Sequence, residues 1–205
     1  PGDPGRRDGP DTGTWLSGTT VFETPLSALP SPLARLAGNV LLSGRDGGHD
    51  LNYRVLQAMG VSLLGHLVGV DGNKARFAPD LDDSVAFGDA RYADMCKLLR
   101  DQLPARGQVV PELPEPPPFH EDPPLEVALD GFGAVIFTTG FRPDYMRWVH
   151  FPGFDEMGFP IAPDGISAIV PGLFFVGVHF MRTRKSSLLW GVGEDAAIVA
   201  RAISG

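Results

Sequence analysis

The chain has 205 residues, 43% of them hydrophobic, which is enough apolar material for one domain or two small ones with a real core. Its formal net charge of −8, with no long Lys/Arg stripe to offset it, argues against a nucleic-acid partner and for a small-molecule substrate. A single cysteine, Cys96, excludes an internal disulfide and a Cys-rich zinc site, so a reducing, cytoplasmic setting is expected. No apolar run reaches the ~18 residues of a membrane helix, and no charged segment followed by an apolar stretch opens the chain, so neither a membrane span nor export is expected.

Residues 1–14 are Pro, Gly and charge with almost nothing to bury, and disorder is expected there. Residues 14–40 read as irregular chain broken by Pro25, Pro30 and Pro32, with a short helix over 33–37 started by Ser31-Pro32. Ser43 to Asp50 is dense in turn formers and reads as a loop, and 51–59 as a helix stopped by Gly60. Residues 61–70 and 74–78 predict two strands joined at Asp71-Gly72-Asn73, a hairpin turn sequence. Helical spacing follows over 80–103, with Ala86, Ala90, Ala93, Leu98 and Leu99 loosely on one side. Eight prolines between 104 and 124, including Pro116-Pro117-Pro118, predict an extended connector over a surface, or a linker. Strands are expected at 125–129 and 134–138 around Asp130-Gly131, the second apolar on both faces as an interior strand would be. Near the end, Leu173 to Val176 reads as a buried strand, 182–187 as a polar loop, and 193 onward as a glycine-fronted helix.

Gly191-Val192-Gly193-Glu194-Asp195-Ala196 has the G-x-G-x-x-A form of a dinucleotide fingerprint, but no second strand with an acidic residue ~20 positions on follows it. What survives is the physics of a helix N-terminus, whose unpaired N–H groups and partial positive charge suit an anion or an electron-rich carbonyl. The alternative is an ordinary capped helix in which Glu194 and Asp195 offset the dipole. Arg182, Arg184 and Lys185 beside Ser186-Ser187 could hold phosphate by charge-assisted hydrogen bonds, or form a solvated surface loop. Thr138-Thr139-Gly140 ends the expected interior strand, where ligands of open α/β sheets bind, and Arg142 lies in the turn beyond it. The five histidines show no metal-ligand spacing, no G-x-S-x-G elbow exists, and Cys96 has no C-x-x-C partner, so it reads as buried filler.

Taken together, Leu42-Ser-Gly-Arg-Asp-Gly-Gly-His-Asp-Leu-Asn52, Val61-Ser-Leu-Leu-Gly65, Gly69-Val-Asp-Gly72, Arg76-Phe-Ala78, Val135-Ile-Phe-Thr-Thr-Gly-Phe-Arg-Pro-Asp144, Gly172-Leu-Phe-Phe-Val-Gly177 and Arg184-Lys-Ser-Ser-Leu-Leu-Trp-Gly-Val-Gly-Glu-Asp-Ala196 resemble the C-terminal half of flavin-containing monooxygenase-like flavoproteins. The nearest subgroup is a bacterial one whose names refer to potassium transport or metal resistance. The resemblance implies an α/β, Rossmann-like fold: an incomplete pair of dinucleotide-binding domains lacking the N-terminal glycine-rich segments. It places 15–103 in the trailing part of an NAD(P)H domain, 104–124 in a connector and 125–205 in the return to, and closing part of, an FAD domain. The implied cofactors are FAD and NAD(P)H, with NAD(P)H reducing FAD and the reduced flavin using oxygen on a small substrate. The helix start at Gly191, Val192 and Gly193 would approach the pyrimidine edge of the flavin ring. Thr139 and Gly140 would mark the crossing between domains, and Gly177 would close the FAD-domain strand. Arg142, Arg184 and Lys185 are candidates for nucleotide phosphate. Val178-His179 stand where related reductases carry an acidic residue toward the ribityl chain or pyrophosphate, and no residue is assigned as acid or base. A truncated, non-catalytic flavoprotein-like module and an NAD(P)H-dependent flavin reductase without oxygenation are the alternatives.

Overall fold

The computed structural model describes residues 12–36, 42–43 and 49–205. Of the disorder expected over 1–14, residues 1–11 lie outside the described residues, as do residue 37 of the expected helix and most of the 43–50 loop. The chain divides into two compact units, the described parts of Pro1–Thr19 with Asn39–Phe137, and of Thr20–Gly38 with Thr138–Gly205. This division differs from the boundaries read in the sequence. The 125–129 strand pairs with the hairpin before the proline-rich segment, and residues 20–36 bond to the 182–185 loop.

In the first unit, helix α1 (Thr12–Ser17) forms where disorder is expected up to residue 14 and irregular chain beyond it. Six residues cannot hold a helix by propensity. Trp15 supplies the missing energy by packing on Leu99 and Leu103. Residues Leu42–Ser43 (β1) and His49–Asp50 (β2) pair antiparallel. Helix α2 (Tyr53–Ala58) starts at Asn52, whose Oδ1 accepts from Val55 N at 3.1 Å, and ends before Gly60 as its sequence predicts.

The hairpin forms as β3 (Leu67–Asp71) and β4 (Lys74–Phe77), with Asp71 opposite Lys74. Gly72 takes the positive φ of +55°, at the first central position, where a II′-type turn requires glycine. The first strand is shorter than expected: residues 61–66 form none. An added Cβ at Gly65 would overlap Ala78 O and Asp80 Oδ1, so the backbone here presses on the start of the next helix. Strand β5 (Glu126–Ala128) adds beside β4, giving an antiparallel order β3-β4-β5.

Helix α3 (Leu81–Gln102) follows its expected span closely. Its buried face is different, formed by Leu81, Val85, Cys96 and Leu99, while Ala86, Ala90 and Ala93 are exposed. The larger aliphatic chains bury more area per residue than alanine, so they decide the helix's rotation. Cys96 is a free, buried thiol. The proline-rich segment is a strap, not a linker. Pro117 O accepts from Arg54 Nε at 2.6 Å and Pro114 O from the Tyr92 hydroxyl at 3.0 Å. Phe119 packs against the Leu63, Leu81, Val85 cluster.

In the second unit, Phe159, Val178 and Met181 form the core, with Leu36, Tyr145 and Phe175 against it. The expected helix at 33–37 is a 3₁₀ stretch, Pro32–Leu36. Where the chain passes from the first unit to the second, the strand expected at 134–138 is not formed, and Val135, Ile136 and Phe137 are 62–80% exposed. Interior strands exist only with neighbours that complete their ladder, and no described segment pairs here. The strand expected at 173–176 is reduced to one bridge, Phe174 to Ile166. Helix α4 (Val192–Ser204) closes the chain. No helix among the described residues is long and apolar enough to cross a membrane.

Candidate functional site

The candidate site is the start of α4 and the loop before it. Gly177, at φ +76°, turns the chain into Val178, which is buried in the core. Phe180 then adopts φ +49° while 1% exposed, a conformation costing a bulky residue about 1–3 kcal/mol and held here by burial. The turn places Arg182, Arg184 and Lys185 beside the helix.

These three cations have different fates. Lys185 is 5% exposed, and its ammonium meets Glu23 Oε1 at 2.6 Å and Glu194 Oε1 at 2.7 Å. The hydrogen bonds it donates to Glu194, then to Glu23, raise its pKa against burial, and the same contact lowers that of Glu194. Arg182 Nε donates to Asp195 Oδ1 at 2.9 Å and Nη2 to Glu194 Oε2 at 3.2 Å. Burial opposes the Arg182 charge, yet Asp195 and Glu194 together raise its pKa. Lys185 and Arg182 therefore serve as internal counter-ions to Glu23, Glu194 and Asp195. Arg184 differs: its guanidinium lies 5.0 Å from the Phe180 ring centroid, and its Nε is buried without a hydrogen-bond partner. Burial lowers its pKa.

Glu194 and Asp195 occupy the first turn of α4, where carboxylates complement the helix dipole. Asp195 is 1% exposed, with Oδ2 buried and unpartnered. Glu23 lies 162 residues before Lys185. No sequence spacing could have paired them.

The helix amides are also partly used. Gly191 N and Val192 N both donate to Leu188 O at 2.9 Å, and Glu194 N donates to Gly191 O at 3.2 Å. Gly191 is buried, and an added Cβ would lie 2.5 Å from Lys185 Cγ and overlap Lys185 O. Its smallness serves packing within the chain. Gly193 is exposed, an added Cβ would meet nothing within 4 Å, and its N–H has no backbone acceptor among the described residues. Beside it, Leu189 is 98% exposed and Trp190 stands edge-on to Phe22 at 4.9 Å.

Behind this loop, Arg35 Nε donates to His179 O at 2.9 Å and its guanidinium stacks 3.5 Å from the Phe159 ring centroid. His179 Nε2 lies 2.8 Å from Arg35 O. A carbonyl only accepts, so Nε2 carries the proton and Nδ1 accepts from Ser187 Oγ at 3.3 Å. Burial lowers the His179 pKa, reinforced by the charges of Arg35 and Arg184. Sequence reasoning singled out neither Arg35 nor this role for His179. Thr139, Gly140 and Arg142 lie in exposed chain without regular structure, Gly140 at φ +83°, and no described contact ties them to the start of α4.

No protein-family model matches the chain, and no solved structure matches it. Over 63 residues it is 43% identical to a protein of Geobacillus kaustophilus named uncharacterized oxidoreductase CzcO-like, a stretch covering 30% of this chain and 18% of that relative. Over 72 residues it is 38% identical to proteins of Bacillus subtilis and Bacillus velezensis named uncharacterized oxidoreductase CzcO, covering 35% of this chain and 20% of each. The matched stretches thus span 18–20% of the length of these curated relatives. Over about a third of its length, the chain is similar to proteins named as oxidoreductases.

Proposed function

We propose that this chain is part of an FAD-dependent NAD(P)H oxidoreductase of the flavin monooxygenase type, acting on a small molecule. The observation that carries the reading is the likeness over 63–72 residues to proteins named oxidoreductases. In this reading β3, β4 and β5 belong to the trailing part of a Rossmann-like NAD(P)H domain, and the second unit to the closing part of an FAD domain. Val135-Ile136-Phe137, apolar and exposed, is the composition of an interior strand whose neighbours come from elsewhere in such a fold.

The residues at the start of α4 fit a flavin in part. Gly193 leaves room for a planar ring and has an amide to donate. Arg184, with a buried unpartnered Nε, is the cation left for a nucleotide phosphate. Gly191, Val192 and Lys185 are occupied within the protein, and they frame the site instead of touching a ligand. FAD, when bound, would supply the passage of electrons from NAD(P)H to oxygen. The chain's own part is to hold the α4 amides in place through the Arg182, Lys185, Glu194 and Asp195 ion pairs.

The internally satisfied amides of Gly191 and Val192 favour a second reading, a non-catalytic module whose last helix is simply capped. Calorimetric FAD titration of the longest natural polypeptide containing this sequence separates the two, wild type against Gly193→Val, with urea midpoints measured alongside. Valine costs the helix no more than glycine. The flavin reading expects FAD uptake that weakens about tenfold or more in the variant at an unchanged midpoint. A colourless protein that takes up no FAD supports the module. NAD(P)H consumption with and without small substrates then distinguishes oxygenation from plain flavin reduction.

A further inference from the structure

We propose that a cleft in the first unit, at the start of α3, binds a small organic cation with an apolar body. Its central feature is a diverted cap. Asp80 holds the N-cap position of α3, where an aspartate ordinarily accepts from the N–H of the second or third helical residue, yet it makes no side-chain cap bond. Both oxygens go to His66: Oδ1 accepts from His66 N at 2.9 Å, and Oδ2 meets His66 Nδ1 at 2.9 Å. The hydrogen bond from the His66 amide, more than that from the ring, lowers the Asp80 pKa, so the carboxylate stays ionised.

An ionised carboxylate only accepts, so in the neutral ring Nδ1 carries the proton and Nε2 is left as a bare acceptor. The ring is set before any ligand arrives. His66 O accepts from Ala78 N at 2.9 Å, and Gly65 lets the backbone approach Asp80 more closely than any Cβ would permit. Even so, the His66 side chain is 76% exposed. A histidine held on both backbone groups and one ring nitrogen, with the other nitrogen open, is built to receive a donor.

The cleft around it holds about 370 Å³ and is lined by Tyr53, His66, Asp80, Asp83, Ser84 and Phe87. That volume lies at the small end of ligand sites. Asp80 and Asp83 supply its carboxylates, and no lysine or arginine lines it. The nearby Arg91 lies 5.4 Å from the Phe87 ring centroid and is paired with Asp94 at 2.9 Å. Phe87, 67% exposed, offers an apolar face. Acceptors and negative charge select a ligand that brings N–H donors and positive charge, and the ring selects an apolar body next to them. An anion is repelled. The site lies wholly in the first unit and is independent of the flavin reading.

The test is an NMR titration of the ¹⁵N-labelled 205-residue chain with benzylamine, and with benzyl alcohol and benzoate as its neutral and anionic counterparts. Benzylamine is expected to shift the amides of residues 66 and 80–87 saturably, and at least about tenfold more tightly than the other two. His66→Gln and Asp80→Asn should each weaken it about fivefold or more, with signal dispersion showing that the fold persists. Should Asp80→Asn unfold, Asp83→Asn carries the same test, since that side chain serves the cleft's charge and not the loop. Benzoate binding as tightly as benzylamine, shifts scattered over the surface, or unchanged affinity in His66→Gln and Asp83→Asn would each overturn the proposal.

Discussion

Gly191 and Gly193 are two residues apart and carry opposite constraints. A Cβ at 191 must displace Lys185, whose aliphatic stem and carbonyl press on that backbone, whereas a Cβ at 193 enters open space. Gly191→Ala should therefore cost about 1–3 kcal/mol of stability by overpacking, and Gly193→Ala should add up to about 1 kcal/mol by helix propensity. Urea denaturation of both variants checks the sign of each. The ion pairs around them are asymmetric too. Arg182→Met leaves Asp195 buried and uncompensated and is expected to cost about 3 kcal/mol, most of it recovered when Asp195→Leu is added. His179 contributes a pH dependence of definite sign. Burial lowers its pKa in the folded state below the ordinary 6.5, so the unfolded chain binds more protons as pH falls past that value. Stability should be complete above about pH 6.5 and decline toward pH 5, and His179→Asn should flatten that decline in urea midpoints taken across the range.

At the scale of elements, Arg54 is one of the ties that hold the proline-rich strap, beside Tyr92 and Phe119. Arg54 forks onto both oxygens of Asp89 at 2.8 Å and also donates Nε to Pro117 O. Lysine keeps the charge but cannot make three bonds in those directions. Arg54→Lys should cost about 1–2 kcal/mol and release the strap, seen as faster limited proteolysis between residues 107 and 124. Elements that depend on neighbours in sequence were legible: the Gly72 turn, the stop of α2 before Gly60 and the span of α3 all follow from local chemistry. Elements that depend on distant burial were not. Helix α1 exists because Trp15 finds Leu99 and Leu103, and the strap because backbone carbonyls of a proline run find Arg54 and Tyr92. The rotation of α3 was misread because alanines fit the helical period as well as the leucines that are actually buried.

For the whole molecule, the exposed apolar run Val135, Ile136 and Phe137 is a liability. Contiguous apolar surface with unpaired backbone favours association. The isolated chain should sediment with concentration-dependent mass and bind a hydrophobic dye, and Ile136→Glu with Phe137→Glu should reduce both severalfold. Equal dye binding by wild type and variant would show that this run is covered in solution. The candidate site divides along the same line as the fold. That a glycine-fronted helix follows a cation-bearing loop was readable from residue order, while the distant partner of Lys185 was not, because Glu23 arrives from 162 residues away.

Local chemistry in the sequence by itself determined the hairpin, the long helix, the terminal helix and the cluster of charges before it, because turn geometry, periodicity and capping act within a few residues. Only the tertiary structure decided what the charges and glycines do. It placed Lys185 against Gly191 and Glu23, left Gly193 open, and turned Asp80 from capping α3 to holding His66. Such choices are set by which distant surfaces meet, and burial then fixes their cost.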